Sequence, residues 1–249
     1  MIKNLQLLIL VIFLANCTQI AENTDQSLNY TMVATEFNTP DCQPETDACL
    51  MIKIKYPKFD AGDSLAMFLA NRIIKNSILD NIGMGDVEST EDPSIEQAIE
   101  DLSESFERLK KDFGDYGTGW QADIYARELY KSDTVLVLES STMTYFGGAH
   151  PNHGTRYFNF NREAGNMIPM REFVKDLAQF TNKAEKVFNE KYGINADNTY
   201  DKAGYNFLGG RFVLSANYAF LGDSIRLHYN PYEIAPYSMG DSEITVGLK

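Results

Sequence analysis

Alternating apolar and polar residues predict most of the strands in this chain. In LMIKIKYPKF (50–59), Ile52, Ile54 and Tyr56 alternate with charged or polar neighbours, which predicts a half-buried strand that stops at Pro57. The β-rich composition of 30–37 predicts a strand before it. Further strands are predicted in 119–132, 133–148, 155–166, 211–215, 224–229 and 243–248, with a turn at LGDS (221–224).

Apolar residues spaced three and four positions apart predict three helices. The first spans 63–83, where Asp63 or Ser64 can cap the start and Gly83 can end the helix. The second begins near Pro93 and the third, within 167–193, ends at Gly193. We expect core stripes at Leu65, Phe68, Leu69, Ile73 and Ile74 in the first helix and at Ile95, Ile99, Leu102, Phe106 and Leu109 in the second.

The N-terminus predicts export. Lys3 precedes an apolar run, Leu5–Leu14, that is shorter than the about 20 residues of a membrane span and fits a signal peptide over 1–16. The sequence before Cys17 resembles a bacterial lipobox, although Asn16 departs from the usual small residue. We therefore expect an acylated Cys17, a tether over 17–29 and a lipid anchor in the membrane. An ordinary cleaved signal with a chance cysteine is the alternative.

The other two cysteines fit an exported protein. Cys42 and Cys49 delimit a short loop, and such a pair can stay oxidised outside the cytoplasm. A disulfide closing this loop would contribute roughly 2.5 kcal/mol. Two free thiols are the alternative, and a zinc site needs more ligands than these two.

Composition and charge limit the classes of partner. The hydrophobic fraction of 44% can form a sizeable core, enough for one large domain or two small ones. The net charge of −13 argues against nucleic acid, whose phosphates bind basic surfaces. An acidic surface favours a cationic partner or serves solubility.

The densest stretch of the chain is YFGGAHPNHG (145–154), which lies between two predicted strands. Gly147 and Gly148 can adopt positive φ, and Pro151 and Asn152 are turn residues. His150 and His153 suggest a metal, but a zinc site needs a third ligand and none is indicated. Catalysis by His150 would need a poised serine, and Ser140 and Ser141 lie within a strand pattern. A structural turn or a partner-binding loop remains.

A second stretch, NPYEIAPYSMG (230–240), has a rigid and aromatic composition. Pro231 and Pro236 stiffen it, and Tyr232 and Tyr237 offer amphipathic rings that suit recognition surfaces. Glu233 adds a hydrogen-bond acceptor. The segment either packs against the first loop and closes the end of the sheet, or forms a binding rim with that loop.

Both stretches carry a resemblance. YFGGAHPNHGTRYFNFNREAGNMIPMREF and HYNPYEIAPYSMG resemble two signatures of a bacterial envelope domain family without an assigned function. Residues 50–130 are similar to a companion domain that also occurs beside a peptidoglycan deacetylase. The pair forms the extracellular part of the lysozyme-sensing anti-sigma-V factor (RsiV-like). Asn161 stands where family members tend to carry Asp. We expect neither an anti-sigma helix with a transmembrane span nor a deacetylase catalytic domain with its metal ligands, so neither activity carries over whole.

Together these features predict an α+β protein with antiparallel sheets, packed helices and two intimately associated subdomains, 30–130 (companion-like) and 131–249 (RsiV-like). We expect a membrane-anchored lipoprotein, periplasmic or cell-surface, without cofactor or metal, that binds lysozyme, another cationic protein or peptidoglycan. The expected binding residues are Gly147, Gly148, His150, Pro151, Asn152, Tyr232, Glu233, Pro236 and Tyr237. An accessory hydrolase or deacetylase, or a structural envelope scaffold, is the alternative.

Overall fold

The computed structural model describes residues 29–60, 65–83, 93–113 and 119–249, and it contains two β-sheets. The first sheet has five strands in chain order: β1 (Tyr30–Asn38), β2 (Leu50–Phe59), β3 (Trp120–Lys131), β4 (Val135–Tyr145) and β5 (Asn152–Asn161). The second has β6 (Tyr218–Phe220), β7 (Ser224–Tyr229) and β8 (Ser242–Gly247). Only β2 and β3 pair in parallel, so the predicted α+β class with mainly antiparallel sheets is confirmed.

Several predicted features lie outside the described residues. They are the signal peptide (1–16), the acylated Cys17, the tether up to residue 28, and the caps Asp63 and Ser64. Within the described part of the chain, no helix has the length and apolar character needed to cross a bilayer. Cys42 and Cys49 form the predicted disulfide.

The described residues form four α-helices: α1 (Leu65–Ile82), α2 (Ile95–Phe113), α3 (Met170–Phe173) and α4 (Leu177–Tyr192). The helix predicted within 167–193 is therefore two helices. The Asp176 carboxylate accepts a hydrogen bond from the Gln179 N–H at 2.9 Å and caps α4. Gly193 ends α4 in the left-handed conformation, as expected.

The predicted stripe of α1 is confirmed at Ile74 and, in part, at Ile73 and Leu69, and is wrong at Leu65 and Phe68. Leu65 and Phe68 are 58% and 62% exposed, and Phe68 lies under the Arg72 guanidinium instead. In the first turns the small residues Ala66 and Ala70 and the flexible Met67 face the core, and in the later turns isoleucines do. The buried residues of α1 are Ala66, Met67, Ala70, Ile74, Ser77, Ile78 and Ile82. The stripe of α2 is buried as predicted except for Leu109.

Two strand predictions need correction. Pro57 was expected to end β2, but the strand continues past it and pairs with β1. On its other edge, β2 pairs with β3 only as far as Lys55. The Asp60 N–H donates to the Asn29 carbonyl, so the backbone of Asp60 faces β1. Pro57 lies three residues earlier, and its backbone nitrogen therefore faces the opposite edge of β2, where β3 no longer pairs. The missing N–H of Pro57 thus removes no hydrogen bond from the sheet. Residues 211–215 form no strand. This extended segment is held by side chains, including the Tyr229 hydroxyl donating to the Val213 carbonyl at 2.6 Å.

Side-chain amides join the two sheets along β5. The Asn159 amide donates to the Tyr218 carbonyl at 2.7 Å and its oxygen accepts from the Phe220 N–H at 2.8 Å. Asn217 bonds the Tyr157 N–H and the Thr155 carbonyl in the same way, at 2.9 and 2.6 Å. These amides take the place of a β-ladder between β5 and the second sheet.

Strands from both sides of the predicted subdomain boundary form the first sheet. The boundary predicted between residues 130 and 131 lies at the end of β3, and β4 and β5, which follow it, pair onto β3. One core lies between this sheet and α1 and α2, and a second lies between α4 and the second sheet.

Candidate functional site

The beginning of the first signature, residues 146–151, forms the hairpin connection between β4 and β5. Gly147 and Gly148 adopt φ of 94° and 108°, the conformation that the sequence predicted and that glycine accommodates best. The Tyr145 hydroxyl donates to the Gly148 carbonyl at 3.0 Å and closes the turn. Asn152 and His153 belong to the start of β5, so the loop is shorter than the motif.

His150 connects the two signatures. Its ring stacks on Tyr237 with centroids 3.9 Å apart, and its Nε2 lies 3.1 Å from the Tyr232 hydroxyl. Nδ1 lies 2.8 Å from the Pro151 carbonyl, which can only accept a hydrogen bond. In the neutral ring Nδ1 therefore carries the proton and Nε2 accepts from Tyr232.

The second signature presents Tyr232 from a strained turn. Tyr232 has a φ of 69° and is 64% exposed. A positive φ in a bulky residue is costly and is found where the surrounding structure holds it. Here the Tyr232 N–H donates to the Ala235 carbonyl at 2.9 Å, and the hydroxyl bonds to His150. Pro236 precedes a 3₁₀ turn, Tyr237–Met239, that carries the second tyrosine.

Asn230 fixes this turn to the first sheet. Its side-chain oxygen accepts from the Thr155 N–H at 2.7 Å, and its amide donates to the Glu233 carboxylate at 3.2 Å. A Cβ at Gly154 would lie 3.2 Å from the Asn230 oxygen, so the absence of a side chain there permits the approach. Glu233 is exposed and accepts this hydrogen bond within the turn.

A charged network continues from the ring stack into the interior. His153 contacts Tyr237 edge-on at 5.3 Å, and its Nε2 lies 3.3 Å from Asp241. Buried His228 lies between Asp241 and Glu243, with nitrogen–oxygen distances of 3.7 and 3.4 Å. Arg226 pairs with the other oxygen of Glu243 at 3.6 Å.

The network changes the acidity of its members. The hydrogen bond from His228, together with the positive charge of Arg226, lowers the pKa of Glu243 despite its partial burial. Burial raises the pKa of Tyr157, whose hydroxyl lies 3.4 Å from Glu243. Glu243 is thus held as a carboxylate that pairs with Arg226.

The two serines considered as nucleophiles are engaged in hydrogen bonds with other side chains. The Ser140 hydroxyl is buried and bonds to Ser77 at 3.0 Å, and that of Ser141 lies 3.3 Å from Thr155. Among the described residues there is no group of three or more histidine, cysteine or acidic side chains arranged to hold a metal ion. The Asn161 oxygen accepts from two backbone N–H groups of the following turn, a role that either Asn or Asp can fill.

The structure therefore brings the two predicted segments together. Tyr232, Tyr237 and His150 are in contact, Gly147, Gly148, Pro151 and Pro236 shape the loops, and Asn152 begins β5. The sequence did not indicate Asn230, Asp241 or Glu243. Asn230 lies at the start of the NPYEIAPYSMG stretch, but nothing in its sequence neighbourhood pointed to its contact with β5.

Comparisons with known proteins match both halves of the chain. Residues 171–249 match the family model DUF3298, described as a protein of unknown function. Residues 43–153 match the family model described as deacetylase PdaC. No curated protein matches the chain significantly.

Solved structures share the fold. A DUF3298 family protein from Pseudomonas aeruginosa PAO1 is 20% identical with a TM-score of 0.62, covering 90% of this chain and 92% of that one. A DUF3298 family member from Bacteroides fragilis is 17% identical with a TM-score of 0.59, covering 88% and 90%. The chain therefore matches the PdaC model in one region and the DUF3298 model in another, and its fold is similar to that of solved DUF3298 family proteins.

Proposed function

We propose that this protein is a non-enzymatic lipoprotein of the bacterial envelope that binds a cationic protein, with lysozyme as the first candidate. The observation that best supports this proposal is the conformation of Tyr232. A bulky ring is held at positive φ and 64% exposed, while its hydroxyl is fixed by His150. A strained, exposed and pre-ordered tyrosine contributes nothing to a core but suits a binding surface, because little conformational entropy remains to be lost on binding.

The surroundings of Tyr232 support a protein partner. Tyrosine is enriched among the residues that dominate the binding energy of protein interfaces. Met239 is 38% exposed in the same segment and adds apolar surface. The net charge of −13 would attract a cationic partner over distance and raise the association rate at low salt.

A binding role also fits His150 better than a catalytic one. Both of its ring nitrogens have partners, the Pro151 carbonyl and the Tyr232 hydroxyl, and Tyr237 covers one face of the ring. A general base needs a free nitrogen within hydrogen-bond reach of the proton that it removes. Its contacts favour a role in positioning Tyr232.

The envelope location rests on the N-terminal sequence. An apolar run after Lys3 and the lipobox-like residues before Cys17 support export and acylation. The disulfide between Cys42 and Cys49 fits an oxidising compartment. Mass spectrometry of the membrane-bound protein tests this part, because an acylated Cys17 would be the N-terminal residue. An N-terminus elsewhere, or an unmodified thiol, would contradict it.

Calorimetric titration with a c-type lysozyme at physiological salt tests the binding proposal. The protein is used from residue 18 onward, which includes every described residue. Cytochrome c serves as the cationic control. We expect saturable one-to-one binding to lysozyme alone. Equal binding to both proteins would reduce the interaction to general charge attraction, and binding to neither would refute the lysozyme proposal.

A further inference from the structure

A polar groove of about 490 Å³ lies beside the ring stack, on the face of the first sheet that carries α1. Its volume is within the range of roughly 300–1,000 Å³ that ligand sites occupy. None of the features used above for protein binding requires this groove.

Paired positions of β4 and β5 form the floor of the groove. Thr142 pairs with Gly154 and Thr144 pairs with Asn152. Ser77 of α1 and Ser140 of β4 are hydrogen-bonded to each other and both line the groove. Gly154 has no side chain, and the Asn230 carboxamide lies beside it.

The walls come from both halves of the molecule. Asp80 and Asn81 of α1 form one side, and Asn230 of the second signature forms the other. The hydrogen bonds of Asn230 to the Thr155 backbone, at 2.7 and 3.2 Å, fix this second wall. The side chain of Asn81 is held likewise, since its amide donates to the Ser77 carbonyl at 2.6 Å.

The lining indicates a neutral, hydroxyl-rich ligand. Most of the lining residues carry a hydroxyl or a carboxamide, which can both donate and accept hydrogen bonds. Asp80 and Arg156 pair with each other at 3.3 Å, and both side chains are more than 60% exposed. The groove thus lacks the unpaired charge that would select an ion and the apolar lining that is usual for drug-like ligands.

The groove adjoins an aromatic surface. His153 lines the groove and contacts the Tyr237 ring, which in turn stacks on His150. Side chains that both donate and accept hydrogen bonds match the chemistry of a sugar, whose many hydroxyls need such partners. We propose that this groove binds a short neutral oligosaccharide, as a site in addition to the protein-binding surface.

Titration with two tetrasaccharides tests this proposal. The chain from residue 18 onward is titrated with tetra-N-acetylchitotetraose and, separately, with cellotetraose. Saturable binding of either supports the site. Binding of the first alone adds recognition of the acetamido group. No saturable binding of either would overturn the proposal.

Matched variants locate the site. Thr142→Val and Thr144→Val together remove two hydroxyls from the floor while keeping shape and strand preference, and we expect affinity to fall about tenfold. Thr245→Val, on an exposed position of β8, is the control and should bind as the wild type does. Unchanged affinity in the double variant would place any binding elsewhere. Lysozyme binding should be unaffected by the double variant, so failure here leaves the protein-binding proposal intact.

Discussion

At the residue scale, Gly119 marks a position where no side chain fits. A Cβ there would lie 2.6 Å from the Cys49 carbonyl oxygen, which also accepts the Trp120 N–H at 2.8 Å. Because the neighbour is backbone within the disulfide-closed region, it cannot move aside cheaply. The tight contact fixes the Cys42–Cys49 loop against the start of β3.

We predict that Gly119→Ala lowers the free energy of unfolding by about 1–3 kcal/mol, the usual cost of overpacking. Urea denaturation measures it. Gly247→Ala is the matched control, because the nearest atom to its Cβ is the Lys183 Nζ at 3.8 Å. Equal stability of the two variants would show that the Cys49 loop yields freely.

Glu243 makes a pH-dependent contribution to stability. Its pKa in the folded protein is below the ordinary value of 4.5 because His228 and Arg226 stabilise the carboxylate. A group with a lowered folded pKa stabilises the fold above its unfolded pKa. That stabilisation is lost as the pH falls from about 4.5 through the folded value.

Glu243→Gln should therefore flatten the decline of stability below this pH. Urea midpoints measured between pH 7 and pH 3 would show a smaller decrease for the variant than for the wild type. Glu104→Gln, on an exposed face of α2, should retain the wild-type dependence. Parallel curves for all three proteins would contradict the role assigned to Glu243.

Some candidate residues could be predicted from a short stretch of sequence, and others could not. Gly147, Gly148, Tyr232 and Tyr237 were predictable because turn chemistry and aromatic content are visible in short segments. The contact of Asn230 with Thr155 joins residues 75 positions apart, and no pattern along the chain encodes it. Only the fold brings β5 next to the second signature.

At the element scale, strands were predicted better than helix orientation. Alternation in β2 and β3 was correct because one face of their sheet is buried and the period of two is unambiguous. The stripe of α1 was only partly correct, because Ile74 is buried as predicted while Phe68 is exposed and Ala66, Met67 and Ala70 are buried in the first turns. Residues 211–215 have a strand-like composition but no strand assignment, and a local pattern cannot show whether a segment finds a partner strand.

The joint between the sheets depends on buried amides. Asn159 is 2% exposed and satisfies two backbone groups of β6. We predict that Asn159→Ala destabilises the protein by about 2–4 kcal/mol, because both partners become buried and unpaired. Chemical denaturation measures the loss.

Asn195→Ala provides the comparison for this joint. Asn195 also bonds two backbone N–H groups, at 2.9 and 3.0 Å, but in an exposed turn where water can replace it. We expect a much smaller loss there, at most about 1 kcal/mol. A loss at Asn159 no larger than at Asn195 would show that the amides do not hold the sheets together.

At the scale of the whole molecule, the fold relates this protein to known structures, and the net charge indicates the kind of partner that it attracts. The similarity to DUF3298 structures extends over 90% of the chain and concerns the fold alone. The charge of −13 favours a cationic partner in general, and its long-range effect weakens as salt is raised. Specificity must therefore come from short-range contacts, and Tyr232 is the best-placed group for these.

The most direct measurement compares lysozyme affinity between two tyrosine variants at physiological salt. Tyr232→Ala removes the ring presented by the second signature, and Tyr125→Ala removes a 42% exposed ring from β3, outside both signatures. Neither substitution changes the net charge. We predict at least about tenfold weaker binding for Tyr232→Ala, as expected for a residue at the centre of an interface, and wild-type affinity for Tyr125→Ala. Equal affinities of the two variants would contradict the central claim that the paired signature loops form the binding surface.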